Sequence, residues 1–498
     1  MKIIVQILIV LCLCHSIAYP QETVENKSSA KVVFKVADVL QSNMVIQQNK
    51  PLKVWGRAEA GKWVIVKADW IPTPVTVIAG DNNTFMAIII VPEVKSGDFT
   101  KHKLEVSTED EKVILENVLI GDLWLCSGQS NMQFSMKEAL NSINDVSEAN
   151  YPNIRLLNVA LNFSSEKIDD LKGHWQECSP TTVKDFSAVG YYFGHELYQA
   201  LNIPIGLIFS GIGASAAQAY VPQETLEKDT MLNRVYLKPY LNSPKSKEKI
   251  DGGFSFEKVT RPMLLYNAMI YPLTNLSIKG ICWYQGESNR LECNSFTQMM
   301  YALIESWRSA FGQGSLPFYY VQIAPFFYDQ ENPQLAECAF FREAQDNIAK
   351  LNNTGEVTTM DVGEMKNIHP KNKKPVGIRL AKMALNRSYG MLQVAYQGPQ
   401  YAYAEFKKNR AIIHFAPETV SSGLSTNDGK EPAHFFMAGK DQHFYPSTAT
   451  ISGNTVIVSS SKVKDPVAIR YAFTNYPITN FQNSAGFAAF PFRTDNWQ

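Results

Sequence analysis

The sequence predicts an α/β fold: a central parallel sheet with helices on both faces, flanked by β-sandwich-like N- and C-terminal parts. Three observations predict it. Short strand-like segments broken by turns fill the stretch from about Lys31 to Glu116. Five apolar runs of strand length then alternate with helix-compatible stretches. After about Gly390 the pattern returns to short strands bounded by Gly, Asn and Pro. Continuous apolar runs separated by helices belong to parallel strands buried on both faces; one-sided strands alternate apolar and polar residues instead.

Taken in order, the chain begins with Lys2, an apolar run from Ile3 to Cys14, and small residues at Ser16 and Ala18. This is the layout of a secretory signal over residues 1–18, too short to span a bilayer comfortably. No later stretch approaches about 20 apolar residues, so the mature chain is expected to be secreted, periplasmic or lysosomal, without a membrane span. An N-terminal β part over 31–117 follows. In it Val64, Val66 and Ala68 share one face, and Ala60-Gly61 and Gly80-Asp81-Asn82-Asn83 mark turns. Gly56–Lys62 matches a phosphate-binding loop until Trp63 stands where Ser or Thr is required, and it reads as a hairpin turn.

The α/β part is expected over 118–390. Its runs are Val118–Cys126, Ile205–Ser210, Ile278–Tyr284, Phe318–Ala324 and Val357–Asp361. Helices are expected at Gly190–Asn202 and Pro375–Asn386, where Val376, Leu380 and Met383 recur at helical spacing. A C-terminal β part over 391–498 completes the chain.

Composition excludes several functions. The 498 residues carry 47 Lys+Arg and 47 Asp+Glu, so no basic field awaits a nucleic-acid backbone, and with 45% hydrophobic residues there is no bias toward disorder. Without Cys12 and Cys14 of the signal, the cysteines are Cys126, Cys178, Cys282, Cys293 and Cys338. The odd count leaves at least one free thiol or an intermolecular bridge, and no Cys/His spacing suggests zinc. Cys126 and Cys282 sit in apolar strands, so any disulfide is expected among Cys178, Cys293 and Cys338. Sequons at Asn26, Asn82, Asn162, Asn275, Asn352 and Asn386 would carry glycans in a eukaryotic host. Oligomeric state has no sequence signal.

Ligands of open parallel sheets bind beyond the carboxyl ends of the strands, so the residues after each run are the candidates. These are Ser127–Met132, Gly211–Ser215, Gln285–Asn289 and Gly363–Pro370. Ser130 follows a strand through a glycine turn and starts a helix, whose amide N–H groups suit a developing oxyanion. His369 is the one histidine at the end of a middle-section strand and can serve as its base. A lone serine in a glycine turn reads as a turn or an N-cap; the joint placement of Ser130 and His369 points to a nucleophile and base. Met132 stands where a G-x-S-x-G elbow needs glycine, and HExxH is absent. Met132, Met136 and Leu140 read as the buried face of the helix after Ser130.

At these residues the sequence resembles the sialate O-acetylesterase family of the SGNH hydrolase superfamily. The matching strings are GDLWLCSGQSNMQFSM from Gly121, RPMLLYNAMIYPL from Arg261, IKGICWYQGESN from Ile278, LPFYYVQIAPF from Leu316, IHPKNKKPVGIRLA from Ile368 and AAFPFRTDNW from Ala488. The resemblance implies an SGNH-type α/β domain that hydrolyses O-acetyl esters on sugars, typically sialic acid, without a cofactor. It implies Ser130 as nucleophile, His369 as general base, and Gly213 and Gln285 as oxyanion donors. Two departures stand out. Lys366 and Asn367 occupy the positions, three and two before the histidine, where an acidic partner is usual. His369 is then oriented by a backbone carbonyl or by Asp361, Glu364 or Glu287. The loop GIGASAAQAY also differs from the more usual GGT-containing form. Lys371, Lys373 and Lys374 read as a solvated cluster, with recognition of a sugar carboxylate as the other reading. Alternatives to the sialate esterase are an acetyl-xylan or other polysaccharide acetylesterase and, from another class, a non-catalytic glycan-binding protein.

Overall fold

A computed structural model describes residues 32–328 and 336–497. The signal expected at 1–18, Cys12, Cys14 and the Asn26 sequon lie outside the described residues. The N-terminal part contains β1 (Lys35–Val36), β2 (Val45–Gln47), β3 (Pro51–Arg57), β4 (Trp63–Ala68), β5 (Val75–Ile78), β6 (Thr84–Ile90) and β7 (His102–Ser107). β1, β3 and β6 form one sheet, while β4 pairs with β5 and β7. Alternation decides which faces meet: Val64 and Val66 of β4 share a core with Val54 of β3 and Ala87 of β6. The segment Gly56–Lys62 carries the chain from β3 in one sheet to β4 in the other, with Gly61 at φ +78°. It is therefore a connection between sheets and not the expected hairpin turn.

β8 (Lys112–Gly128) is a single long strand that serves both parts. Its first half runs antiparallel to β7, with a bulge where Asn117 adopts φ +56°, and its second half runs parallel to its neighbours in the central sheet. The position taken as a boundary, 117/118, thus falls inside a strand, at its bulge. A bulge bends and twists the strand that carries it, which lets one strand join two differently oriented sheets.

The central sheet adds β9 (Tyr151–Asn158), β10 (Trp175–Cys178), β11 (Ile205–Gly211), β12 (Gly280–Tyr284), β13 (Phe318–Val321) and β14 (Thr354–Val357). Its order is β10-β9-β11-β8-β12-β13-β14, parallel throughout except for edge strand β10. The chain winds to one side through β9 and β11, then crosses β8 to continue through β12. The carboxyl end of β8 is therefore a topological switch point, where the flanking loops diverge and leave a crevice.

Side chains alternate between the faces. Trp124, Cys126, Leu207 and Tyr284 pack with the helices Ala188–Leu201 and Lys374–Arg387, whereas Leu125, Ile208, Trp283 and Phe318 pack with Cys293–Phe311. Val376, Leu380 and Met383 are all buried, and each buried side chain contributes roughly 1.5–3 kcal/mol relative to exposure. A separate seven-stranded sheet, from Tyr401–Lys407 at one edge to Phe492–Arg493 at the other, encloses its own apolar core in the C-terminal part. Among the described residues, no helix is long and apolar enough to cross a membrane and no group of three potential ligands could hold a metal.

Several expectations change. The fifth strand is Thr354–Val357; beyond it the Thr358 and Thr359 hydroxyls turn to Gln322 and the chain leaves the sheet. β9 escaped notice because it carries Pro152, Asn153 and Arg155. The Arg155 side chain is nevertheless fully buried, satisfied by the Pro152, Asn43 and Asn117 carbonyls. All five described cysteines are free: Cys178 packs on one face of the sheet and Cys338 on the other, and no bridge joins Cys293 to either. Burial pushes the Cys178 thiol up to about 12 and the Cys338 thiol to about 11.

Candidate active site

β8 ends in Gly128, where only glycine fits. At φ +136° an added Cβ would lie 2.2 Å from the Tyr284 carbonyl oxygen. This close approach of β8 to β12 continues into the loops, where the Gln129 side-chain oxygen accepts from Gly286 N–H at 3.2 Å. The chain then makes one helical turn, Ser130–Gln133, before Phe134 leaves helical geometry. The helix expected to continue to Leu140 stops there. Met132 and Met136 are buried as read, but Leu140 is exposed.

The structure brings Ser130 and His369 together: Ser130 Oγ lies 2.8 Å from His369 Nε2. The loop carrying His369 is shaped by Asn367, whose side-chain oxygen accepts from His369 N–H at 3.0 Å. Burial lowers the His369 pKa below the ordinary 6.5, the nearby Lys373 cation lowers it further, and Glu138 opposes them. The neutral imidazole, the form that accepts a proton, is thereby favoured.

The three carboxylates considered as its partner are engaged elsewhere. Asp361 forms a two-pronged pair with Arg379 at 2.8 and 2.6 Å. Glu364 accepts from Asn367 Nδ2 and from Lys371 N–H. Glu287, fully enclosed, accepts from Asn131 Nδ2 at 2.6 Å, and burial raises its pKa against the opposing pull of Asn131 and Lys373. Among the described residues, no carboxylate is hydrogen-bonded to His369.

Gly213 sits against the serine, since a Cβ there would be 3.4 Å from Ser130 Cβ. Its N–H donates to Gln133 Oε1 at 2.8 Å. Gln285 is buried beside β12. Its Nε2 donates to Asn289 Oδ1 at 2.6 Å and to Ser215 O at 3.2 Å, so the donor expected to face an oxyanion braces the β11 and β12 loops instead. Ser130 N–H, at the first position of a helical turn, has no intrahelical acceptor.

Sequence reading missed two residues here and misplaced Lys373. Lys373 is 1% exposed, not a solvated surface charge, and its ammonium donates to Asn131 Oδ1 at 2.5 Å. Asn131, next to the serine and fully buried, also donates to the Ile368 carbonyl at 3.1 Å. Phe134 places its ring 4.7 Å from Lys373 Nζ and 6.4 Å from the His369 ring. The helical signal from Val376 onward sets the register of Lys373, but its burial depends on Asn131 and Tyr284, which lie far away in the chain.

The chain is similar to known carbohydrate esterases. A family profile described as "Carbohydrate esterase, sialic acid-specific acetylesterase" matches residues 249–386. The sialate O-acetylesterase of Mus musculus is 28% identical over 498 residues, covering 90% of this chain and 91% of its own. That of Homo sapiens is 28% identical over 492 residues, covering 90% and 89%. The crystal structure of a carbohydrate acetylesterase from Xanthomonas citri superposes with a TM-score of 0.82 at 31% identity, over 93% of this chain and 100% of that one.

Proposed function

This chain belongs to the sialate O-acetylesterase family of carbohydrate esterases and hydrolyses O-acetyl esters; on that premise, we propose that Ser130 is its nucleophile and His369 its general base. The observation that carries the reading is the 2.8 Å approach of Ser130 Oγ to His369 Nε2 at the switch point of the parallel sheet. In the proposed reaction His369 Nε2 takes the hydroxyl proton as Oγ bonds to the acetyl carbon. The electron pair displaced onto the carbonyl oxygen is held by the Ser130 N–H and, once Gln133 swings away, by the Gly213 N–H. Collapse of this intermediate breaks the bond to the sugar oxygen, which takes the proton from the imidazolium. Water then attacks the acetyl-serine with His369 again as base, releasing acetate and restoring Ser130. Gln285 serves as the brace that holds the Ser215 loop in register with β12.

The reading extends to an SGNH-type catalytic part over 118–390, with β parts at 31–117 and 391–498, and to secretion after removal of residues 1–18. Exposed Asn82 and Asn352 suit glycosylation, whereas the Asn386 amide is occupied by two backbone carbonyls. The substrate proposed is an O-acetylated sialic acid, supported by the sialate O-acetylesterase relatives. Acetate release from 9-O-acetyl sialic acid and from acetylated xylan, with wild type and Ser130→Ala, tests both parts. Preference for xylan would replace the sugar, and full activity of the alanine variant would overturn the nucleophile.

A further inference from the structure

Among the described residues no carboxylate is hydrogen-bonded to the Ser130–His369 pair, yet a buried cation lies beside it. Lys373 stands at the N-cap of the helix Lys374–Arg387, the end whose dipole disfavours a positive charge. Its side chain is withdrawn from water, a costly position for an ammonium that makes one strong hydrogen bond, to Asn131 Oδ1. The aromatic faces of Phe134 and Tyr284 lie 4.7 and 5.7 Å from its nitrogen. Asn131 is the junction. Its oxygen holds Lys373, and its amide nitrogen holds both Glu287 and the carbonyl of Ile368, the residue before His369. One side chain adjacent to the nucleophile thus joins the histidine loop, a buried acid and a buried base.

We infer that Lys373 is a positioning residue for the esterase reaction: through Asn131 it ties the histidine loop to the nucleophile turn, and it sets a buried positive charge beside the base. This rests on the reading of Ser130 and His369 as nucleophile and base. A conventional acidic partner orients the histidine and favours its charged form; a cation orients through the amide and disfavours that form. The groups acting on the imidazole are Lys373 from the helix start and Glu138 from the segment after Ser130. Those acting on Lys373 are Glu287 from the β12 loop and Glu364 from the histidine loop. Burial brings the Lys373 pKa down to about 7, with both carboxylates opposing, so its charge is present below neutrality and fades above it. The field on His369 is therefore strongest in the acidic range, where it adds to burial in disfavouring protonation of the base.

The experiment measures kcat/KM for an aryl acetate from pH 4.5 to 9 in wild type, Lys373→Met and Ser130→Ala. Expected is an acid limb displaced to higher pH in Lys373→Met, so that its activity relative to wild type is several-fold lower at pH 5 than at pH 8. An unmoved limb, or a uniform loss across the range, would overturn the proposal. Histidine-selective NMR on the wild-type chain keeps the test open should the methionine variant not fold. The His369 ring signals should carry a second inflection near pH 7 as Lys373 loses its proton, and a single inflection would count against the proposal. Retained activity in Ser130→Ala would instead remove the underlying reading, so the two failures are distinguishable.

Discussion

Two of the cations that this molecule buries, in two different regions, are treated in opposite ways. Where the C-terminal β part meets the helix Glu337–Asp346, Arg342 is fully buried and donates to three backbone carbonyls: Ile323 at 3.2 Å, Thr474 at 2.9 Å and Asn475 at 2.8 Å. The same seam holds Arg493 against Glu343 through two bonds of 2.8 Å. At the carboxyl edge of the central sheet, Lys373 has one hydrogen bond and a pKa near neutrality. A guanidinium is a fixed charge whose planar fork can be saturated by carbonyls, whereas an ammonium is a point charge whose proton can leave. The seam ties its cation to three carbonyls and serves as a fastening; the sheet edge retains a titratable charge beside Ser130 and His369.

Four perturbations test that contrast. The largest effect is expected from His369→Asn, which removes the base and should lower kcat by roughly three orders of magnitude or more, while the unfolding midpoint in urea barely moves. Arg342→Met should do the reverse. Three buried carbonyls lose their donor, a loss of roughly 3–5 kcal/mol in unfolding free energy, with kcat unchanged under conditions where the chain stays folded. Third, kcat/KM of the wild type should fall with acid along a limb whose midpoint lies below 6.5. Burial and then Lys373 disfavour the protonated imidazole, so the active neutral form persists to lower pH than in an ordinary histidine. The smallest effect belongs to Glu343→Gln, which leaves Arg493 a neutral acceptor at a partly exposed site. At most about 1 kcal/mol of stability should be lost, measured by urea unfolding.

The central strands were legible because burial on both faces imposes uninterrupted apolar runs: Ile205–Gly211 and Gly280–Tyr284 lie almost where those runs do. β9 was hidden because its burial is mixed with Arg155, whose acceptors at Asn43 and Asn117 are distant in sequence. The Ser130 turn was visible through Gly128 and its position after an apolar run. The site's second layer was not visible, because nothing local marks Lys373 as buried or Asn131 as its acceptor. Gln285 shows the opposite error: it has the right chemistry at the right strand end, but its amide is turned toward Asn289 and Ser215.

Local pattern alone sets the alternation of strands and helices, the placement of a serine and a histidine at strand ends, and the absence of acidic residues just before His369. These are properties of local pattern, since periodicity and turn chemistry act over a few residues. Only the tertiary structure decided that Ser130 and His369 meet at 2.8 Å, that Asp361, Glu364 and Glu287 are committed elsewhere, and that Lys373 is enclosed. Desolvation and hydrogen-bond competition are set by every group packed around a side chain, and those groups come from segments that the chain order keeps far apart.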